Sequence, residues 1–177
     1  MTMYKAILFG CLFLVSAASG ATETVPLKTA EATPAVTSGT TDKAAAILSD
    51  ALSLVGVKYK YGGNSPESGL DCSGFVGHVF HNTAGLVLPR SASAISMVGS
   101  KITQNELRPG DLVFFKTMRK AISHVGIYLG NNQFVHASSS KTGDVMVSSM
   151  TESYWSKRFS VARRVDLSTP SSVKPAE

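Results

Sequence analysis

The chain has 177 residues, 44% hydrophobic and 16% charged, an ordinary balance for one globular domain with its own core. Its formal net charge of +5 invites a polyanionic partner. The lysines and arginines are scattered, however, and no nucleic-acid motif is present, which argues against nucleic acid and leaves solubility or attraction to an anionic cell envelope or wall as the use of the charge.

In chain order, Lys5 precedes the apolar run Ala6 to Val15 and then the small residues Ser16 to Ala21. That is the order of a secretory signal peptide, and the apolar run is too short to span a bilayer as a permanent helix. Residues 1–20 are expected to be removed on export, with cleavage between Ala17 and Ala21, leaving no transmembrane segment and placing the protein in a bacterial periplasm or cell envelope, or outside the cell. The rival reading takes Leu8-Phe9-Gly10-Cys11 as a lipidation signal that tethers the chain through Cys11; bulky Phe9 and the few apolar residues before the cut speak against it. Residues 21–41 are rich in Thr, Ala, Pro and Ser without apolar periodicity, and residues 167–177 are similar, so both read as disordered extensions. The folded unit is expected over residues 42–166, as a monomer, with no repeat or second domain.

Asp42 is placed as the N-cap of a first helix whose apolar stripe runs Ala46, Ile47, Leu48, Ala51, Leu52, Leu54 and Val55 before Gly56 ends it. A glycine-rich loop, Tyr59 to Pro66, leads to Asp71-Cys72. A second helix starts near Cys72, with Phe75, Val76, Val79 and Phe80 at helical spacing and His78 and His81 as surface or packing residues. Strands follow at Asp111 to Phe115, His124 to Leu129, Gln133 to Ser138, Val145 to Ser149 and Phe159 to Arg164. Helices first and an antiparallel sheet afterwards make an α+β fold.

With Cys11 in the signal, Cys72 is the one cysteine of the exported chain. Exported proteins usually keep cysteines in disulfide pairs, so a lone thiol between polar or small neighbours reads as a nucleophile rather than a structural residue. In the first turn of a helix, unpaired N–H groups and the positive end of the dipole favour a thiolate; together with a nearby imidazolium they are expected to lower the pKa from about 8.5 toward neutrality.

A nucleophile needs a base. If Gly130-Asn131-Asn132 is a three-residue hairpin loop, Leu129 faces Gln133, Ile127 faces Val135 and Val125 faces Ala137 on one sheet face. The other face then carries Tyr128 with Phe134, Gly126 with His136, and His124 with Ser138. His124 and His136 become diagonal neighbours with room between them at Gly126, so one imidazole can orient the other. Zinc held by Cys72, His124 and His136 is the competing use, but no close ligand pair is present.

The residues from Gly56 to Gly63, and Gly69-Leu70-Asp71-Cys72-Ser73-Gly74-Phe75-Val76, resemble the catalytic region of the NlpC-type cell-wall cysteine peptidases, a papain-like group. So do Leu88-Pro89-Arg90-Ser91, Leu107 to Phe115, His124 to Tyr128 and Phe134 to Ala137, in family order over nearly the whole folded unit. The resemblance implies a papain-like fold with Cys72 as nucleophile, His124 as general base and acid, and His136 as the group that orients His124. It implies that Tyr59, with Tyr61 as competitor, shares an oxyanion site with the Cys72 N–H, and that Asp71 and Ser73 flank the nucleophile. Asp71 either contacts a substrate amine or caps the helix; Arg90 either binds a substrate carboxylate or makes a structural salt bridge. Ile95 stands where the family often has glutamine. The implied reaction is hydrolysis of amide bonds in peptidoglycan stem peptides or their cross-links, with no metal or organic cofactor. A non-hydrolytic wall-peptide binding module and an acyltransferase or other amidase on the same fold are the alternatives.

Overall fold

A computed structural model describes residues 38–118, 121–139 and 143–168. The expected signal segment, Cys11, most of residues 21–41 and nearly all of the expected tail lie outside these residues.

The first helix, α1 (Ser38–Ser53), begins four residues before the expected cap, so Asp42 lies a turn inside it and residues 38–41 are helical rather than linker. No apolar residue marks that first turn, and apolar periodicity could not locate it. The buried stripe is also narrower than expected: Ile47, Ala51 and Leu54 are buried, whereas Ala46, Leu52 and Val55 face outward. Gly56, at φ +91°, turns the chain so that its N–H donates to the Val145 carbonyl at 2.9 Å.

A two-stranded ribbon, β1 (Asn64–Ser65) and β2 (Gly69–Leu70), leads into α2 (Cys72–Ala84). Asp71 is the N-cap of α2, its carboxylate accepting the Gly74 N–H at 2.7 Å. At the far end Gly85 adopts φ +68°, and N–H groups of Gly85 and Leu86 return to the carbonyls of His81 and Phe80. Between these caps, Phe75, Val76, Val79 and Phe80 are fully buried, as their spacing predicts. The ribbon lies directly on the first turn of α2, because a Cβ on Gly74 would run into the Gly63 carbonyl.

After a short helix α3 (Ala92–Ile95) come β3 (Ser100–Ile102), β4 (Leu112–Phe115), β5 (His124–Gly130), β6 (Gln133–Ala137), β7 (Val145–Ser149), the helical turn α4 (Ser153–Ser156) and β8 (Phe159–Arg164). The six strands β3 to β8 pair antiparallel in the order β3-β8-β4-β5-β6-β7, which establishes the α+β class. Alternation along β4 divides the core: Leu112 and Phe114 join the aliphatic cluster beneath α1 and α2, while Val113 and Phe115 join an aromatic cluster with Tyr128, Phe134 and Trp155. Ile95 is buried in the aliphatic cluster.

The β5–β6 hairpin differs from expectation at its tip. Asn131 and Asn132 both have positive φ, 50° and 59°, and form a two-residue turn whose twist suits a hairpin. Gly130 pairs with Gln133, replacing the expected Leu129–Gln133 pair and three-residue loop, and a bulge at Leu129 absorbs the extra residue. Beyond the bulge the expected register holds, with Tyr128 opposite Phe134 and Ile127 opposite Val135.

Candidate active site

Cys72 opens α2, half-buried and free, on a cleft of about 770 Å³ that also takes in Tyr59, Asp71, Arg90 and His124. Its sulfur lies 3.9 Å from the carbonyl of Ser123, the residue before His124. The neighbourhood of Cys72 is braced by charge. Arg90 grips Asp71 with both arms, Nη1 to Oδ1 at 2.8 Å and Nη2 to Oδ2 at 2.9 Å, and also donates to Ser73 Oγ and the Gly63 carbonyl. Asp71 further accepts the Gly62 N–H at 3.0 Å. Burial alone would raise the Asp71 carboxyl, but Arg90, the Gly74 N–H and Ser73 outweigh it and hold it below the usual range. The structure shows Asp71 capping the helix and Arg90 in a bidentate salt bridge to it, with both residues also lining the cleft.

The thiol itself is not tuned as its helix position suggested. Burial first, then the Asp71 carboxylate, push it up, and the N–H groups of Val125, Ser73 and Cys72 only partly offset them. The expected lowering toward neutrality is therefore corrected: the sulfur is buried, and the helix end, besides its N–H groups, presents the negative charge of its own capping carboxylate.

His124 and His136 meet as the register predicted. His124 Nε2 lies 2.9 Å from His136 Nδ1, with the ring planes nearly perpendicular at 83°. Gly126 makes the approach possible: a Cβ there would come within 2.7 Å of Phe134 Cδ2 and 3.2 Å of the His136 Cβ. With Nε2 engaged, Nδ1 is the His124 nitrogen left for chemistry. Burial pushes His124 down to about 4; burial, with His124 adding to it, pushes His136 down to about 3. Both rings are neutral at physiological pH, and a neutral imidazole is the form that accepts a proton.

Of the apolar surroundings responsible, the sequence register puts Phe134 on this face, whereas Trp155 and Phe115 are not expected there. The Trp155 ring stacks on His124 at 5.3 Å and 28°, Phe134 stacks on His136 at 4.8 Å and 25°, and Phe115 packs against both Phe134 and Trp155. Ser148, whose Oγ lies 3.0 Å from His136 Nε2, is not expected there either. Period-two reading of β6 and β7 as adjacent strands is the signal that would have brought Ser148 to this face.

Tyr59 and Tyr61 both line the cleft but differ in setting. Tyr59 is half-buried against the core, and its phenol is raised by burial, then by the negative charge of Cys72 and Asp71. Tyr61 is 89% exposed at the rim. His78 hydrogen-bonds Asn82 on the outer face of α2, and His81 is exposed. Among the described residues no group of three His, Cys, Asp or Glu is placed to hold a metal, and no helix is long and apolar enough to cross a membrane.

Comparison with known proteins places this arrangement in context. Residues 56–164 match the model of the NlpC/P60 family. The chain is 51% identical over 110 residues to the murein DD-endopeptidase MepS/murein LD-carboxypeptidase of Escherichia coli, covering 62% of this chain and 56% of that protein. It is 40% identical over 121 residues to the gamma-DL-glutamyl hydrolase of Bacillus subtilis, covering 68% of this chain and 29% of the relative. The chain thus spans little more than half the length of the first of these relatives and under a third of the second. Among solved structures, the peptidoglycan hydrolase RipB of Mycobacterium tuberculosis superposes with a TM-score of 0.63 at 28% identity, covering 73% of this chain and 67% of that one.

Proposed function

The chain belongs to the NlpC/P60 family, and on that footing we propose that it is a cysteine endopeptidase that hydrolyses amide bonds in the stem peptides or peptide cross-links of bacterial peptidoglycan. The observation that carries the reading is the convergence on one cleft of a free thiol at the start of α2 and an imidazole whose far nitrogen is tied to a second imidazole. The names of the relatives, a murein DD-endopeptidase and a gamma-DL-glutamyl hydrolase, support wall peptides as the substrate class.

In this mechanism the resting pair is a neutral thiol and a neutral imidazole. His124 Nδ1 takes the Cys72 proton as sulfur attacks the carbonyl carbon, and the oxyanion is received by the Cys72 N–H and the Tyr59 hydroxyl. His124 then gives the proton to the leaving nitrogen, and water, deprotonated by the same ring, resolves the thioester. His136 holds the His124 ring in position. Asp71, Ser73 and Arg90 line the cleft beside the sulfur, and their bonds to one another and to the Gly63 carbonyl keep the α2 N-terminus rigid under the substrate. Residues 1–20 act as an export signal that delivers the domain to the envelope where the wall lies.

Digestion of purified peptidoglycan with the mature chain, with new termini read by mass spectrometry, tests the reading. Release of peptides with new amino and carboxyl termini by the wild type, and not by Cys72→Ala, is expected. Binding without cleavage would replace the peptidase with a wall-peptide binding module, and transfer of the acyl group to an added amine in place of water would make it an acyltransferase.

A further inference from the structure

The two imidazoles and Ser148 form one continuous chain of hydrogen bonds, and the chain has only two self-consistent arrangements of protons. His124 Nε2 and His136 Nδ1 are 2.9 Å apart, and His136 Nε2 and Ser148 Oγ are 3.0 Å apart. Both rings are neutral, so each carries one N–H. In one arrangement His124 Nε2–H donates to His136 Nδ1, which leaves His136 Nε2–H to donate to Ser148 and leaves His124 Nδ1 bare. In the other, His136 Nδ1–H donates to His124 Nε2, Ser148 donates to His136 Nε2, and the His124 proton sits on Nδ1. Only the first allows His124 Nδ1 to take a proton from the thiol.

We propose that Ser148 is a positioning residue that accepts the His136 Nε2–H and so holds His124, two rings away, in the tautomer with a bare Nδ1. His136 is fully buried, Ser148 nearly so, and Phe134 and Trp155 pack against the His136 ring. With the hydroxyl present the His136 Nε2–H of the first arrangement has an acceptor; without it that buried N–H is left unpaired, at greater cost than the bare ring nitrogen of the second arrangement, so removing the hydroxyl penalises the first arrangement and lets the second fill. The effect reaches the rate through proton placement and leaves substrate contacts alone.

The inference rests on His124 being the base, and it is tested by a matched pair of variants and by the spectrum of the ring nitrogens. Ser148→Thr keeps the hydroxyl, whereas Ser148→Val has the same branched shape without it. In the wild type, nitrogen NMR of histidine-labelled protein should show both His124 and His136 protonated at Nε2. Ser148→Val should show a mixture of His124 tautomers and a kcat lower by about 10- to 100-fold with little change in KM, the scale of losing a residue that orients a working group. Ser148→Thr should recover most of the rate. A proton on His124 Nδ1 in the wild type, or a Val variant with wild-type tautomers or wild-type kcat, would overturn the proposal. If Ser148→Val does not fold, the wild-type spectrum decides by itself. Wild-type tautomers as stated in a protein that cuts no wall peptide would overturn the peptidase reading and leave the Ser148 assignment standing.

Discussion

The two halves of the site are built from opposite materials. Around Cys72 the structure places charge: Asp71 within a net of donors from Arg90, Ser73, Gly74 and Gly62. Around His124 and His136 it places aromatic rings, and the two imidazoles hydrogen-bond to each other and, through His136, to Ser148. Yet both environments push toward the same resting state. Charge and burial keep the proton on the sulfur, and burial keeps it off the imidazole. In the proposed mechanism the site therefore waits neutral and separates charge only when substrate arrives.

The largest expected effect removes one half or the other. Cys72→Ala and His124→Ala should each lower wall hydrolysis by about 10⁴-fold or more, and His136→Asn should cost less because an orienting group is partly replaceable. Rates measured on one substrate under one condition give the order directly. A His136 variant slower than His124→Ala would exchange the two roles.

Next in size is the effect of wetting the aromatic half. Because His124 must be neutral to act as base, the acid limb of the kcat/KM profile should fall near 4 in the wild type. Trp155→Ala opens the ring to water, and the limb should climb toward about 6.5, the value of an unperturbed histidine. The same groups set stability against pH. Their folded values lie below their unfolded ones, so between the two the unfolded chain binds more protons and stability rises with pH. Thermal stability should therefore be full above about 6.5 and fall as the medium is acidified toward about 4 and then 3. A limb near 6.5 in the wild type would mean that the rings are wet.

The smallest effect concerns the charged half. Asp71→Asn keeps a capping acceptor but removes the negative charge that raises the thiol. Alkylation of Cys72 by iodoacetamide, followed against pH, should show an inflection that moves down in the variant relative to the wild type. An unchanged inflection would leave burial alone as the cause.

Much of this comparison was legible in the residues, for physical reasons that differ from part to part. Apolar spacing located α2 because both of its ends carry strong caps, Asp71 and Gly85, while α1 began in Ser-Gly-Thr-Thr, where no apolar residue speaks. Period two in β5 and β6 brought the histidines together because both sheet faces are buried and a one-residue slip would exchange them. The short pieces β3, α3 and α4 carry too few residues for any period to show. Trp155 reaches the histidines from one of them, so the ring that covers His124, unlike Phe134 beside His136, leaves no periodic signal in the residues. The thiol departs from expectation because a helix start suggests its dipole and shows neither the burial of the sulfur nor the carboxylate that caps the helix.

Trp155 is the chain's single tryptophan, and it lies against the ring of the proposed base. All indole emission from this protein thus originates beside His124, and a protonated imidazole quenches indole where a neutral one does so far less. The protein carries its own optical electrode: emission should stay level from neutrality downward and dim from about 4 to about 3 as His124 and then His136, which also touches the indole, take up protons, with no label and no substrate present. A midpoint near 6.5 would report a base in contact with water, before a single bond had been cut.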